Sequence, residues 1–292
     1  MSTFQPGAKT FELGPNQYGK AETRIVRVAR GGAGGDAITD LNVSVSLRGD
    51  LAASHLTGDN SAVLPTDTQK NTVYAFAREH GIDDIESFAA RLAEHFVASQ
   101  PTIHEARVSI EQYPWDSVDG VHTFRRDGGE VRTAVVHHGA HGTQTVSGVS
   151  GLVLLKTTDS EFHGFVKDRY TTLPETTDRI LATSVDATWR TAGAPADAAK
   201  ARAALVEAFA GTYSYALQQT LFEMGSRVLE QCPEVLEVKL SLPNRHHFLV
   251  DLAPFGLDNP NEVYYAADRP YGLIEGTVRR SVDIPEEVRW TF

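Results

Sequence analysis

Two helix–proline–strand junctions, far apart in the chain, repeat one another. Pro101 is followed by apolar residues at Ile103, Ala106, Val108 and Ile110, and Pro233 by Val235, Val238, Leu240 and Leu242 at the same offsets. An amphipathic segment precedes each junction: Ile85, Phe88, Ala89, Leu92 and Phe96 before the first, Leu217, Leu221, Met224 and Val228 before the second. A chain of 292 residues also exceeds what one core ordinarily organises. The pattern predicts a duplication: an N-terminal arm over 1–19, a first unit over 20–143 and a second over 144–292.

In the first unit, strands are predicted at 24–28 and 41–47, the second alternating Leu41, Val43, Val45 and Leu47. They flank Gly31-Gly32-Ala33-Gly34-Gly35. No Gly-Lys-Ser/Thr follows, so the glycines read as a turn rather than a phosphate cradle. A helix follows Leu64-Pro65-Thr66-Asp67 and runs to His80, and a second starts at a capping-box-like Asp83 and Glu86. A strand at 103–110 follows, then a hairpin turning at Asp127-Gly128-Gly129 between Thr123-Phe124 and 131–136. In the second unit a strand at 151–155, a polar turn opened by Leu173-Pro174, helices and a strand at 235–242 recur in that order. The alanine-rich helix at 197–210 makes this copy the longer one. The fold class is therefore α+β, antiparallel sheets with helices on one face. The uncovered face needs burial, which a symmetric oligomer provides by closing several sheets into a barrel.

Composition removes several functions. The net charge of -11 argues against a nucleic-acid partner, because phosphate binding relies on clustered Lys and Arg. No segment approaches the roughly 20 apolar residues that span a bilayer, which argues against a membrane partner. The N-terminal residues, broken by Pro6, Gly7, Gly14 and Pro15, carry neither a basic nor an apolar targeting region. A single cysteine, Cys232, excludes internal disulfides, suits a reducing compartment and reads as a buried thiol.

Polar residues in apolar settings mark the candidate chemistry. The even positions from Val238 to Leu252 are apolar except for Asn244 and His246. Either the strand continues through Pro243 and the two side chains face a ligand pocket, or Pro243 bends the chain and turns them elsewhere. Gln218 borders the apolar stripe of its helix. Arg179 ends a turn rich in capping residues, in the setting of a helix start. His137, His138 and His141 invite a metal, but Gly139 disfavours the helix that would align them and no Glu accompanies them; no metal is expected.

Taken in order, several segments resemble the urate oxidase family. They are Tyr18-Gly19-Lys20, then Thr66-Asp67 running into Thr68-Gln69-Lys70-Asn71-Thr72. A long block follows, through Lys156-Thr157-Thr158-Asp159-Ser160-Glu161-Phe162-His163-Gly164-Phe165, Asp168 to Leu173, Asp178-Arg179-Ile180-Leu181 and Val185 to Trp189. Ser241-Leu242-Pro243-Asn244-Arg245-His246 completes the resemblance, which spans about Tyr18 to Arg279.

The resemblance implies two tandem tunnelling-fold (T-fold) units per chain and a homotetramer enclosing a tunnel, with sites between subunits. It implies oxidation of urate by molecular oxygen and water to 5-hydroxyisourate and hydrogen peroxide, without a cofactor. Arg179 and Gln218 would grip the edge of urate and Phe162 would stack on its ring. The backbones of Asp67 and Leu217 would add contacts, with Thr66 supplied by the partner chain. Asn244 would hold oxygen or water opposite the purine. Lys20, Thr66 and His246 match the proton relay, none of them a metal ligand. Of the neighbours Gln218 and Gln219, counting back from Met224 favours Gln218. The ending Trp290-Thr291-Phe292 lacks a Ser-Lys-Leu address, which implies a cytoplasmic location. Another purine- or pterin-acting enzyme of the same fold, and a non-catalytic purine-binding tetramer, are the alternatives.

Overall fold

The computed structural model describes residues 11–32, 34–191 and 193–281. Residues 1–10 of the expected arm, Ala33 of the glycine-rich loop and the C-terminal Trp290 to Phe292 lie outside the described residues. Two compact units result. One draws on the described residues up to Ile25 and on Leu41–Ile110 and Val135–Thr143, the other on the described residues of Val26–Asp40, on Glu111–Ala134 and on those from Gln144 onward.

The long strands β1 (Tyr18–Gly32) and β2 (Gly35–Gly49) lead to a short helix α1 (Ala52–Thr57), then to α2 (Thr66–Glu79) and α3 (Ile85–Ser99). β3 (Ile103–Tyr113), the short β4 (Trp115–Ser117) and β5 (Phe124–Arg126), and β6 (Val131–Gly139) follow. The second half runs β7 (Gly142–Lys156), β8 (Leu181–Thr191), α4 (Ala198–Gly211), α5 (Leu217–Gln231) and β9 (Val235–Pro243). It ends with β10 (His246–Leu249), β11 (Tyr264–Ala267) and β12 (Leu273–Arg279). Hydrogen-bonded neighbours run β1-β2-β3-β6 in the first half and β7-β8-β9-β12 in the second. Each half is thus two strands, a helix pair and two strands, and the α+β expectation holds.

The repeated offsets mark burial. Ile103, Ala106, Val108 and Ile110 of β3 are at most 2% exposed, and Val235, Val238, Leu240 and Leu242 of β9 are all at 0%. Burying each such Val, Leu or Ile contributes about 1.5–3 kcal/mol, so the alternation sets the strand register. In the second unit these residues join Trp189, Leu205, Phe209 and Met224 in one core, with Cys232 buried beside them. α5 approaches β12 closely: a Cβ on Gly225 would sit 2.5 Å from Val278 Cγ2.

Several expectations need correction. α3 is capped by Asp84, whose carboxylate accepts the Ser87 N–H at 2.8 Å, not by Asp83, and Glu86 is buried. The hairpin does not turn at Asp127-Gly128-Gly129. The Asp119 carboxylate accepts the N–H groups of Val121, His122 and Thr123 and the Thr123 hydroxyl, turning Phe124–Arg126 back to pair with Trp115–Ser117. The strand expected at 151–155 is the far end of β7, which is bulged between Val149 and Leu152 with Gly151 at φ 75°. β8 stands where the polar turn was expected to lead to helices. The strand ending at Pro243 does not continue: β10 pairs with β11 in a separate small sheet.

Candidate active site

In the first unit, Lys20 lies on β1, while Thr66 and Asp67 are the first two residues of α2. The α2 N-cap is Pro65, which has no side-chain acceptor to offer. The N–H groups of that first turn are therefore left for a ligand or water. The Asp67 carboxylate bonds Lys70 Nζ and Asn71 Nδ2, and the Lys70 contact holds its pKa below the usual carboxylate value, with a smaller contribution from the charge of Lys20. Lys20 is thus within electrostatic reach of the α2 start. A second link is Tyr18, whose hydroxyl bonds the backbone of Leu64, two residues before Thr66.

In the second unit, a loop between β7 and β8 carries Phe162 and Arg179. Phe162 and Thr176 exchange backbone hydrogen bonds at 2.8 and 3.0 Å, and the Arg179 N–H donates to the Ser160 carbonyl at 2.9 Å. Arg179 therefore sits just before β8, not at a helix start. Its Nε donates to Ser160 Oγ at 3.2 Å, and its Cζ lies 5.2 Å from the Phe162 ring centroid. Burial lowers the guanidinium's pKa, yet an arginine stays cationic at any ordinary pH. Phe165 stacks on Phe162 at 4.9 Å.

Leu217 and Gln218 open α5, whose N-cap, Ala216, also makes no side-chain cap bond. The other long helices are capped, α3 by Asp84 and α4 by Asp197. The two long helices that begin with candidate site residues are thus the two with uncapped starts. Gln219 Oε1 accepts the Tyr215 N–H at 2.9 Å, whereas Gln218 is exposed.

Asn244 follows β9 and is held by its backbone: its N–H donates to Gly272 O at 2.8 Å and it bridges Thr183. No hydrogen bond among the described residues uses its side-chain amide. His246 begins β10, half-buried and stacked on Phe248 at 5.6 Å. Burial lowers its pKa first, then the charges of Arg179 and His247, which places it in the neighbourhood of Arg179. Asn244 is thus tied to β8 through Thr183, and His246 feels the charge of Arg179.

The histidine cluster does not converge. Among the described residues no group of three or more His, Cys, Asp or Glu side chains is placed to hold a metal. His138 Nδ1 bonds Thr143 Oγ1 at 2.8 Å, while His137 is largely buried on β6.

The sequence profile of the uricase family matches residues 16–137 and 145–275. The chain belongs to the uricase family. The uricase of Arthrobacter globiformis is 54% identical over 284 residues, covering 96% of this chain and 93% of that protein. The uricase of Dictyostelium discoideum is 36% identical over 277 residues, covering 91% and 96%. The crystal structure of the Arthrobacter globiformis uricase superposes with a TM-score of 0.91 at 53% identity, over 95% of this chain and 98% of that one. Urate oxidase from Bacillus sp. TB-90, at 24% identity and a TM-score of 0.80 over 91% and 100% of the chains, shares the fold. The chain is an α+β protein of T-fold units and an enzyme that oxidises urate. The pterin, other-purine and binding-protein alternatives are not favoured.

Residue reasoning from sequence overlooked Ser160, Ser214 and Thr220, three buried hydroxyls behind the candidate contacts, and gave Tyr18 and Gln69 no individual role. Serine and threonine are too common for their types to have flagged them.

Proposed function

We propose that urate is oxidised here by molecular oxygen directly, without a metal or prosthetic group, at sites shared between subunits of a homotetramer whose sheets close into a tunnel. Each chain contributes tandem units over 20–143 and 144–292. The reading is carried by Arg179, a guanidinium beside the Phe162 ring that makes no ion pair among the described residues. A planar anion suits that pairing, with the Gln218 amide donating and accepting along its edge. The backbone N–H groups at the starts of α2 and α5, near Asp67 and Leu217, add donors of the kind that anions favour.

In this reading Lys20 draws a proton through the Thr66 hydroxyl while His246 orients the chain. Loss of that proton makes urate electron-rich enough to give two electrons to oxygen. Asn244 holds oxygen, and later water, opposite the ring. Urate, O2 and H2O become 5-hydroxyisourate and H2O2. In this reading neither a membrane nor a nucleic acid takes part, and a lone buried thiol suits the cytoplasm. Among the described residues no helix is long and apolar enough to cross a membrane.

Chelator-treated protein mixed with urate should consume oxygen and release an equal amount of peroxide. Turnover lost on chelation and restored by a metal ion would overturn the cofactor-free reading.

A further inference from the structure

Ser160 is fully buried, and a buried hydroxyl is costly unless it is bonded. Its Oγ accepts from Arg179 Nε at 3.2 Å and its carbonyl accepts the Arg179 N–H at 2.9 Å. This bond uses one of the five guanidinium donors and leaves the Nη1 and Nη2 fork unengaged by any hydrogen bond or ion pair among the described residues. The nature of the anchor matters. A carboxylate at this position would neutralise the guanidinium and compete with an anionic ligand, whereas a hydroxyl orients it and leaves its charge in place.

The anchor is itself fixed. The Ser214 N–H donates to Asp159 O and the Glu161 N–H to Ser214 O, both at 2.9 Å, locking Ser160 against Ser214. Thr220 Oγ1, on the first turns of α5, donates to Ser214 Oγ at 2.8 Å. Ser214 and Thr220 are also buried. One frame of hydroxyls and backbone bonds therefore joins the loop of Phe162 and Arg179 to the helix start of Leu217 and Gln218.

We propose that Ser160 is a positioning residue for urate recognition, a neutral anchor that aims the Arg179 fork at the substrate without quenching its charge. The inference rests on the reading of Arg179 as a urate contact. Losing the anchor weakens capture of the anion and leaves the proton relay untouched.

The test is a double-mutant cycle read by steady-state kinetics and by anaerobic urate titration. Ser160→Ala should raise KM for urate about tenfold with kcat within about twofold. Arg179→Lys keeps a cation but has no Nε–H for Ser160, so adding Ser160→Ala to it should change KM by less than about twofold. If Ser160→Ala does not yield folded protein, Ser160→Cys fills the volume with a weaker acceptor and should show the same dependence on Arg179 at smaller amplitude. An equal effect of Ser160→Ala in both backgrounds, or an unchanged KM, would overturn the proposal. If Arg179→Ala leaves urate affinity intact, the reading of the site itself fails and this inference falls with it.

Discussion

The Tyr18 hydroxyl holds both backbone polar groups of Leu64, accepting from its N–H at 2.9 Å and donating to its carbonyl at 3.1 Å. Gln69, fully buried, donates to the same carbonyl at 3.3 Å. Tyr18 is two residues before Lys20 and Leu64 two before Thr66, so this contact ties the strand bearing the lysine to the helix start bearing the threonine. Tyr18→Phe keeps the ring's packing and removes both bonds. Steady-state kinetics should show kcat lowered about tenfold and KM for urate within about twofold.

Lys20→Met and Arg179→Ala should separate chemistry from binding. Removing the lysine should lower kcat by about 100-fold or more while anaerobic urate titration shows nearly unchanged affinity. Removing the guanidinium should mainly abolish binding. Equal small effects from both would contradict the assigned roles.

Arg190 on β8 and Glu237 on β9 form an ion pair that is almost wholly buried, with Nη2 and Nε at 2.8 and 3.0 Å from one carboxylate oxygen. Glu237→Gln leaves the guanidinium buried without its counter-charge. Chemical unfolding should show a loss of about 3–5 kcal/mol, whereas replacing both residues by apolar ones of similar volume should cost far less.

His137 titrates at about 4 instead of 6.5, first because it is buried and then because the charges of Arg107 and Arg48 oppose a further cation. The folded state therefore resists a proton that the unfolded chain accepts. Its contribution is fully present above pH 6.5 and is lost as the pH falls toward about 4. Denaturant midpoints measured across that window should fall with pH, and His137→Gln should flatten the decline.

What was legible in the sequence followed from burial periodicity. The matching offsets after Pro101 and Pro233 marked β3 and β9 because one face of each strand is dry, and the stripe of α3 was equally plain. β8 was not recognised. Thr183, Val185, Ala187 and Trp189 are buried in alternation with Ser184, Asp186 and Thr188. The pattern is blurred because Thr183 is polar and Ala187 small, and because buried residues stand side by side at Leu181–Thr183 and at Trp189 and Arg190. The hairpin of β4 and β5 was misplaced because a side-chain-organised turn at Asp119 outcompetes the glycines that attracted attention. The candidate site residues come from the family motifs. Their setting was not legible in the sequence: the Arg179 loop is held by isolated bridges to Phe162 and Ser214, long-range contacts that leave no local periodicity.

We propose that urate is oxidised where the Lys20 and Thr66 group of one subunit meets the Arg179 and Phe162 group of another. The most direct measurement mixes two inactive variants, Lys20→Met and Arg179→Ala, refolded or co-expressed as one assembly, and follows urate oxidation. Random co-assembly gives roughly a quarter of the sites both intact groups, so the account predicts recovery toward roughly a quarter of the parental rate. Mixed assemblies as inactive as either variant alone would contradict it.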